Sequence, residues 1–394
     1  MPASASATRP GAAADAVDGQ VPATVARPGS VEDTVDVLRE CAAEGRSVLP
    51  HGNRTKLDWA APAGAVDVAL DLRGLDRVVD HAAGDLVVVA EAGVRLADLQ
   101  QQLARSGQML ALDPCEPGAT LGGIVSANAS GPRRLRYGTA RDLLIGITVV
   151  LPDGTRAVAG GRVVKNVAGY DLGKLFIGAH GSLGAVVTTT WRLHPLPRAL
   201  ATVTVELDRA VDAASCARLL SHSPLTPTAV ELSARTGAGA SLLVLFESIP
   251  ESVAAQAEAA VALLGGGAIT TELPADFGER PVDPDALGVR IAHPPKALPV
   301  VLAALPAGTE VRASACSGIT YAAITGSAVA ALDRLRAALG PVGGNAVVVA
   351  APVDLRGQVD HWGPVGDSLP LMRRVKDEYD PQHRFAAGRF VGGI

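Results

Sequence analysis

Val31, Val35 and Leu38 recur at helical spacing behind Ser30, with Asp33 three residues after that serine and Gly45 ending the run. This pattern predicts a first, N-capped helix. Residues 24–27, closed by Pro28, form a short extended entry, and residues 47–50, 66–72 and 86–91 read as strands. Leu96, Leu99 and Leu103 share one face of a helix expected over residues 95–106. Residues 143–151 resume as a strand, Asp153-Gly154 supplies a hairpin turn, and residues 156–159 pair back. A further strand over 185–193 ends at His194-Pro195-Leu196-Pro197.

That Pro-rich punctuation marks the expected domain boundary. Beyond it the apolar pattern alternates. Strands are predicted at 201–207, 229–233, 241–247, 289–292, 318–324 and 347–351, and helices at 210–221, 253–264, 296–305 and 329–339. The alternation argues an α+β sandwich with two split βαβ units. A last helix over 369–379 is stopped by Asp380-Pro381. The organisation expected is therefore a disordered tail over residues 1–20, a first α+β domain over 21–197 and a second over 198–394, its C-terminal segment returning toward the first.

Composition narrows the function. Of 394 residues, 48% are apolar, 19% charged and only 3% aromatic, with a net charge of −5. The apolar share is ample for buried cores. The acidic balance and scarcity of aromatic rings exclude a nucleic-acid footprint. The longest apolar run, residues 143–151, is about half of what a membrane span needs. Four scattered cysteines without a CxxC, and dispersed histidines, give no metal-ligand spacing. The first twenty residues lack the apolar segment of a signal peptide. A reduced, cytoplasmic protein with no metal site is expected.

Two glycine-containing loops carry the candidate chemistry. The first is Pro50-His51-Gly52-Asn53-Arg54-Thr55-Lys56. Consecutive backbone amides in such a loop form a concavity for anions. The second is Pro117-Gly118-Ala119-Thr120-Leu121-Gly122-Gly123, leading into a helix expected to start near Val125 with Ser126 and Ala127 in its first turn. Two phosphate-type loops point to a diphosphate ligand such as a dinucleotide. The Rossmann fingerprint is absent, and residues 169–174 only superficially resemble a P-loop.

These loops occur in order with Arg136-Tyr137-Gly138 and Asp142, Lys165-Asn166-Val167-Ala168-Gly169-Tyr170-Asp171-Leu172, and Gly181-Ser182-Leu183-Gly184. That order resembles flavoproteins of the vanillyl-alcohol oxidase and p-cresol methylhydroxylase superfamily. The Lys165–Leu172 string and the tail from Asp380-Pro381 to Gly388-Arg389-Phe390 look like the FAD-binding (E-type) subunit of bacterial glycolate oxidase. The tail departs from that family where Ala386-Ala387 precede Gly388-Arg389.

The resemblance implies a PCMH-type FAD-binding domain of two α+β subdomains followed by a ferredoxin-like cap. It implies FAD held by the first loop and by residues 117–123, with Ser126 and Ala127 beside them. Tyr137, Gly138 and Asp142 would pass the flavin. Lys165 and Asn166 would lie near its ring or pyrophosphate, and Gly184 and Val186 would contact its adenine or ribitol side. Because His51 precedes Gly52 and no histidine follows the paired glycines, FAD is expected to be non-covalent; Cys115 reads as a small buried thiol. Catalytic residues stay unassigned. Arg290 and Lys296 are candidates for a substrate carboxylate and His361 for a pocket corner, though each also reads as an ordinary structural residue. The resemblance further implies a small 2-hydroxy acid substrate, a second flavoprotein subunit and an iron–sulfur subunit as partners, and membrane association only through those partners. A stand-alone flavin oxidoreductase and an FAD-stabilised scaffold are the alternatives.

Overall fold

Ser30 accepts the Asp33 amide at 3.0 Å and opens α1 (Val31–Ala43), which buries Val37, Leu38 and Cys41. The cap satisfies an amide that the helix itself cannot. The computed structural model describes residues 7–162 and 171–394, and the chain divides into two units. The first holds the chain up to Ala129, Thr139–Leu196 and Val365–Ile394; the second holds Ser130–Gly138 and Pro197–Pro364.

In the first unit, β1 (Ala7–Pro10), β2 (Thr24–Arg27), β3 (Val48–His51) and β4 (Val68–Asp71) form a sheet in the order β1-β2-β4-β3. The helical crossover through α1 makes β2 and β3 both parallel to β4. Then follow β5 (Val78–Ala82), β6 (Val87–Glu91), β7 (Gln108–Met109), β8 (Leu144–Val150), β9 (Arg156–Gly160), β10 (Ala185–Arg192) and β11 (His194–Pro195). Five of them form an antiparallel sheet ordered β5-β6-β10-β8-β9, and β7 pairs with β11. A shared core of Leu38, Val48, Leu70, Leu75, Val150, Val187 and Phe385 joins α1, both sheets and the C-terminal segment.

The disordered tail expected over residues 1–20 does not hold for its described part. Ala7–Pro10 pair antiparallel with β2, Asp15 meets Arg9 at 2.6 Å, and Val17 is buried. Composition misses this because the pairing is made by the main chain along an otherwise open sheet edge. A second departure is in the glycine stretch. The helix α2 (Leu96–Ala104) is followed by α3 (Leu121–Ala127), so Gly122 and Gly123 lie inside a helix rather than ahead of one.

The second unit is built on a single antiparallel sheet of β12 (Ala199–Leu207), β13 (Ala229–Arg235), β14 (Ala240–Ser248), β15 (Ala268–Thr270), β16 (Leu287–Ala292), β17 (Glu310–Ser314), β18 (Ile319–Ile324) and β19 (Asn345–Ala350). Its order, β15-β12-β14-β13-β17-β18-β16-β19, is two ferredoxin-like β-α-β-β-α-β repeats joined edge to edge through β13 and β17. Ala217, Val253, Val301 and Leu335 from its helices pack with Val203, Val244, Ile291 and Val348 into one core. Neither β15 nor β17 has a counterpart among the strands expected from sequence. Among the described residues no helix is long and apolar enough to cross a membrane.

Candidate functional site

β3 ends at His51, and the chain turns out of the sheet through Gly52-Asn53-Arg54-Thr55-Lys56. Arg54 adopts a positive φ of 63°. Among the described residues the backbone amides of Gly52, Asn53, Arg54 and Thr55 meet no protein acceptor. Four consecutive free N–H groups about a left-handed residue make a main-chain nest, an arrangement that receives anions. The loop lines an open cleft, whose other walls include Thr120, Gly122, Gly123, Ser126 and Ala127, His180, Gly181, Gly184 and Val186, and Arg389, together with Ala92 and Leu72.

Close backbone approach explains the small residues. A Cβ on Gly52 would lie 2.2 Å from Thr120 Oγ1, and one on Gly122 would lie 2.8 Å from the Ala92 Cβ. Gly122 donates to the Ala92 carbonyl at 2.8 Å, which locks α3 against the end of β6. Thr120 caps α3 through the Gly123 amide. Opposite, His180 and Gly181 have φ values of 52° and 78°, and a Cβ on Gly181 would lie 2.9 Å from Pro50 Cγ. Two non-glycine residues in the left-handed region, Arg54 and His180, both line this cleft, and strained backbone of that kind clusters at ligand sites.

The charges around the cleft are held in fixed places. The Arg54 guanidinium donates to the carbonyls of Ala14, at 2.9 Å, and Ala16. Lys56 is nearly buried and meets Glu116 at 2.8 Å. Arg389, 2% exposed, meets Asp18 at 3.0 Å and donates to the Leu57 carbonyl. Asn53 ties the two loops together, its Nδ2 donating to the Gly118 carbonyl at 2.8 Å. His51 donates through Nδ1 to the Gly52 carbonyl at 2.8 Å, and burial pushes its pKa below the ordinary histidine value. A neutral imidazole leaves the nest without an extra cation.

The cleft thus gathers Pro50, His51, Gly52, Asn53, Arg54, Thr55, Lys56, Thr120, Gly122, Gly123, Ser126, Ala127, Gly184 and Val186 from the sequence-based set. Pro117, Gly118, Ala119 and Leu121 do not line it; Leu121 is fully buried and its amide donates to the Val94 carbonyl. Cys115 is half-buried rather than enclosed. Asp142 accepts the Thr139 amide at 2.8 Å and caps a short helix. Tyr137 and Gly138 lie in the second unit, where Arg133 of the same segment pairs with Glu247 at 2.7 Å. Lys165 and Asn166, with the rest of residues 163–170, lie outside the described residues. Arg389, His180 and Gly181 were not assigned from sequence, although Gly181 and Arg389 stood within the quoted motifs.

The substrate candidates separate. Arg290 lies in β16, directly opposite Tyr321, while Lys296 sits in the 3-10 turn ahead of a helix. His361 is 2% exposed and bonds the Arg356 carbonyl through Nε2 at 3.0 Å, a structural role. His293 bridges the Pro294 carbonyl and Thr320 at 2.9 Å each. Among the described residues no three His, Cys, Asp or Glu side chains come together as metal ligands.

The family described as FAD binding domain matches residues 22–160. D-lactate dehydrogenase [cytochrome] 1, mitochondrial, of Saccharomyces cerevisiae is 35% identical over 216 residues, covering 54% of this chain and 37% of that protein. D-2-hydroxyglutarate dehydrogenase of Xanthomonas citri is 35% identical over 177 residues, covering 45% of this chain and 38% of the relative. Glycolate oxidase subunit GlcE of Escherichia coli is 37% identical over 170 residues, covering 42% and 47%. The alignments with these relatives therefore span less than half of each relative's length. In fold, the chain is similar to an alkyldihydroxyacetonephosphate synthase structure, with a TM-score of 0.70 at 15% identity, covering 93% of this chain and 76% of that one. Residues 22–160 of this chain are accordingly an FAD binding domain, and its cofactor is FAD.

Proposed function

We propose that the chain is the FAD-carrying component of an oxidoreductase acting on 2-hydroxy acids, and that the cleft between the Pro50–Lys56 loop and α3 holds the cofactor's diphosphate. The observation that carries this reading is the run of four amides at Gly52–Thr55 that meet no acceptor among the described residues. Paired phosphates are the anion that such a run, facing a wall of glycines, accommodates. Gly52 and Gly122 have no room for a side chain, so the ligand meets main chain rather than solvated termini.

The residues would divide the work simply. The nest amides hold the phosphates, and Arg54 adds positive charge that its carbonyl partners do not cancel. Gly184 and Val186, where β10 starts, give a flat edge for main-chain contact. When bound, FAD supplies an acceptor for two electrons.

Attachment is taken as non-covalent: His51 Nδ1 is engaged with Gly52 and the Cys115 thiol donates to Glu116 at 3.3 Å. D-lactate and D-2-hydroxyglutarate enzymes among the relatives support a 2-hydroxy acid as substrate, and the GlcE relative supports work as one subunit among several. On that reading a second flavoprotein subunit and an iron–sulfur subunit accept the electrons, in the cytoplasm or at a membrane reached through those partners. The test is to purify the chain alone and with its partner subunits and add glycolate or D-lactate anaerobically. Bleaching of the flavin and dye reduction that require the assembled complex support the proposal. Bleaching of the isolated chain by a different alcohol, with no hydroxy acid response, contradicts it.

A further inference from the structure

The first unit contains a buried ammonium that the proposed cofactor chemistry does not use. Lys376, on the helix Leu369–Tyr379, is fully buried. All three of its N–H donors are engaged: with the Ser182 carbonyl at 2.7 Å, Asp380 Oδ2 at 2.6 Å and the Phe385 carbonyl at 3.0 Å. Asp380 Oδ2 also accepts the Phe385 amide at 2.8 Å. The turn at Asp380-Pro381 then sends the chain back beside β3. There the Val48 amide donates to the Arg384 carbonyl and the Ala386 amide donates to the Val48 carbonyl, which extends the sheet.

Each end of this knot leads to a wall of the cleft. Ser182 sits between Gly181 and Gly184, both of which line it. Val48 sits two residues before Pro50, where the loop that carries the amide nest begins. Beyond Phe385 the same tail delivers Arg389 to the cleft.

We infer that Lys376 is a positioning residue for the FAD cleft, its ammonium fixing the Gly181–Gly184 wall and, through the returning tail, the strand that feeds the Pro50–Lys56 nest. The inference rests on the reading of this cleft as the cofactor site. Stability alone does not account for the arrangement. A buried ion pair can often be replaced by apolar side chains at little cost. What apolar side chains cannot replace is the hold that one ammonium keeps on two main-chain carbonyls, Ser182 and Phe385, at once.

The test measures FAD affinity by titrating the apoprotein of K376M and of the double variant K376M/D380L. Leu103→Ala, at a fully buried residue of α2 away from the cleft, serves as a control for general destabilisation. The expected result is a rise of at least tenfold in the Kd for FAD in both Lys376 variants, with a changed visible circular dichroism of the bound flavin, while L103A stays within twofold of the parent. A Kd within twofold of the parent in K376M, or an equal rise in L103A, overturns the inference. Should neither Lys376 variant fold, hydrogen exchange of the parent protein decides. FAD must then protect residues 178–184 and 376–386 together, and protection of the first segment alone overturns the proposal. A parent protein that takes up no FAD refutes the underlying reading of the cleft instead.

Discussion

Asn53 Nδ2 donates to the Gly118 carbonyl at 2.8 Å, and this one bond joins two loops that lie 65 residues apart in the chain. It holds the amide nest against the segment that leads into α3. N53D replaces the donor with an acceptor, setting a carboxylate against a carbonyl and beside the proposed phosphates. The Kd for FAD should rise at least tenfold, equivalent to about 1.4 kcal/mol. Fluorescence titration of the apoprotein measures it, and an unchanged Kd would remove Asn53 from the site.

Gly52→Ala should be more damaging than its size implies. The new Cβ would lie 2.2 Å from Thr120 Oγ1, so either the nest or the cap of α3 must move. Loss of flavin from the purified variant is expected. Gly84→Ala is the matched control, because nothing lies within 4 Å of its Cβ position. Equal flavin content in the two variants would contradict the close approach.

Lys56 and Glu116 form a nearly buried pair at 2.8 Å. Removing one partner strands the other charge, so K56M should destabilise the first unit by about 3 kcal/mol, whereas K56M/E116L should recover most of the loss. Urea unfolding of the three proteins makes the comparison. A K56M variant as stable as the parent would show that the pair is solvated.

His51 supplies a pH dependence whose sign is fixed. Burial is the largest influence and lowers its pKa; the Gly52 carbonyl and Asp71 pull the other way, and Arg54 and Arg73 add to the lowering. The unfolded chain therefore takes up this proton first as pH falls. The stabilisation is complete above the ordinary histidine value near 6.5 and fades as pH drops below it toward the folded-state pKa. His293, buried in the second unit, acts with the same sign. The apoprotein Tm should fall between about pH 7 and about pH 5.5, and H51Q should flatten that slope in part. A slope identical in H51Q and the parent would mean that His51 titrates alike in the folded and the unfolded chain.

The first loop was legible in the sequence because its signal is local: a strand, then glycine and polar residues whose amides have no helix or sheet to satisfy. All seven of its residues line the cleft. The helix through Gly122 and Gly123 was not legible, since two glycines lower helix propensity and only the contact with Ala92 explains Gly122. Arg389 and His180 reach the cleft through tertiary folding, from a tail that pairs with Val48 and a loop held by Lys376. The β1 strand was hidden for a related reason. Main-chain pairing along a sheet edge leaves little trace in an Ala- and Pro-rich composition.

The central claim is most directly tested by titrating the apoprotein with FAD and recording the visible spectrum before and after denaturation. The account predicts saturation at one flavin per chain, with the yellow colour released into the filtrate on unfolding. A chain that stays colourless in excess FAD, or that keeps its flavin after denaturation, would contradict it.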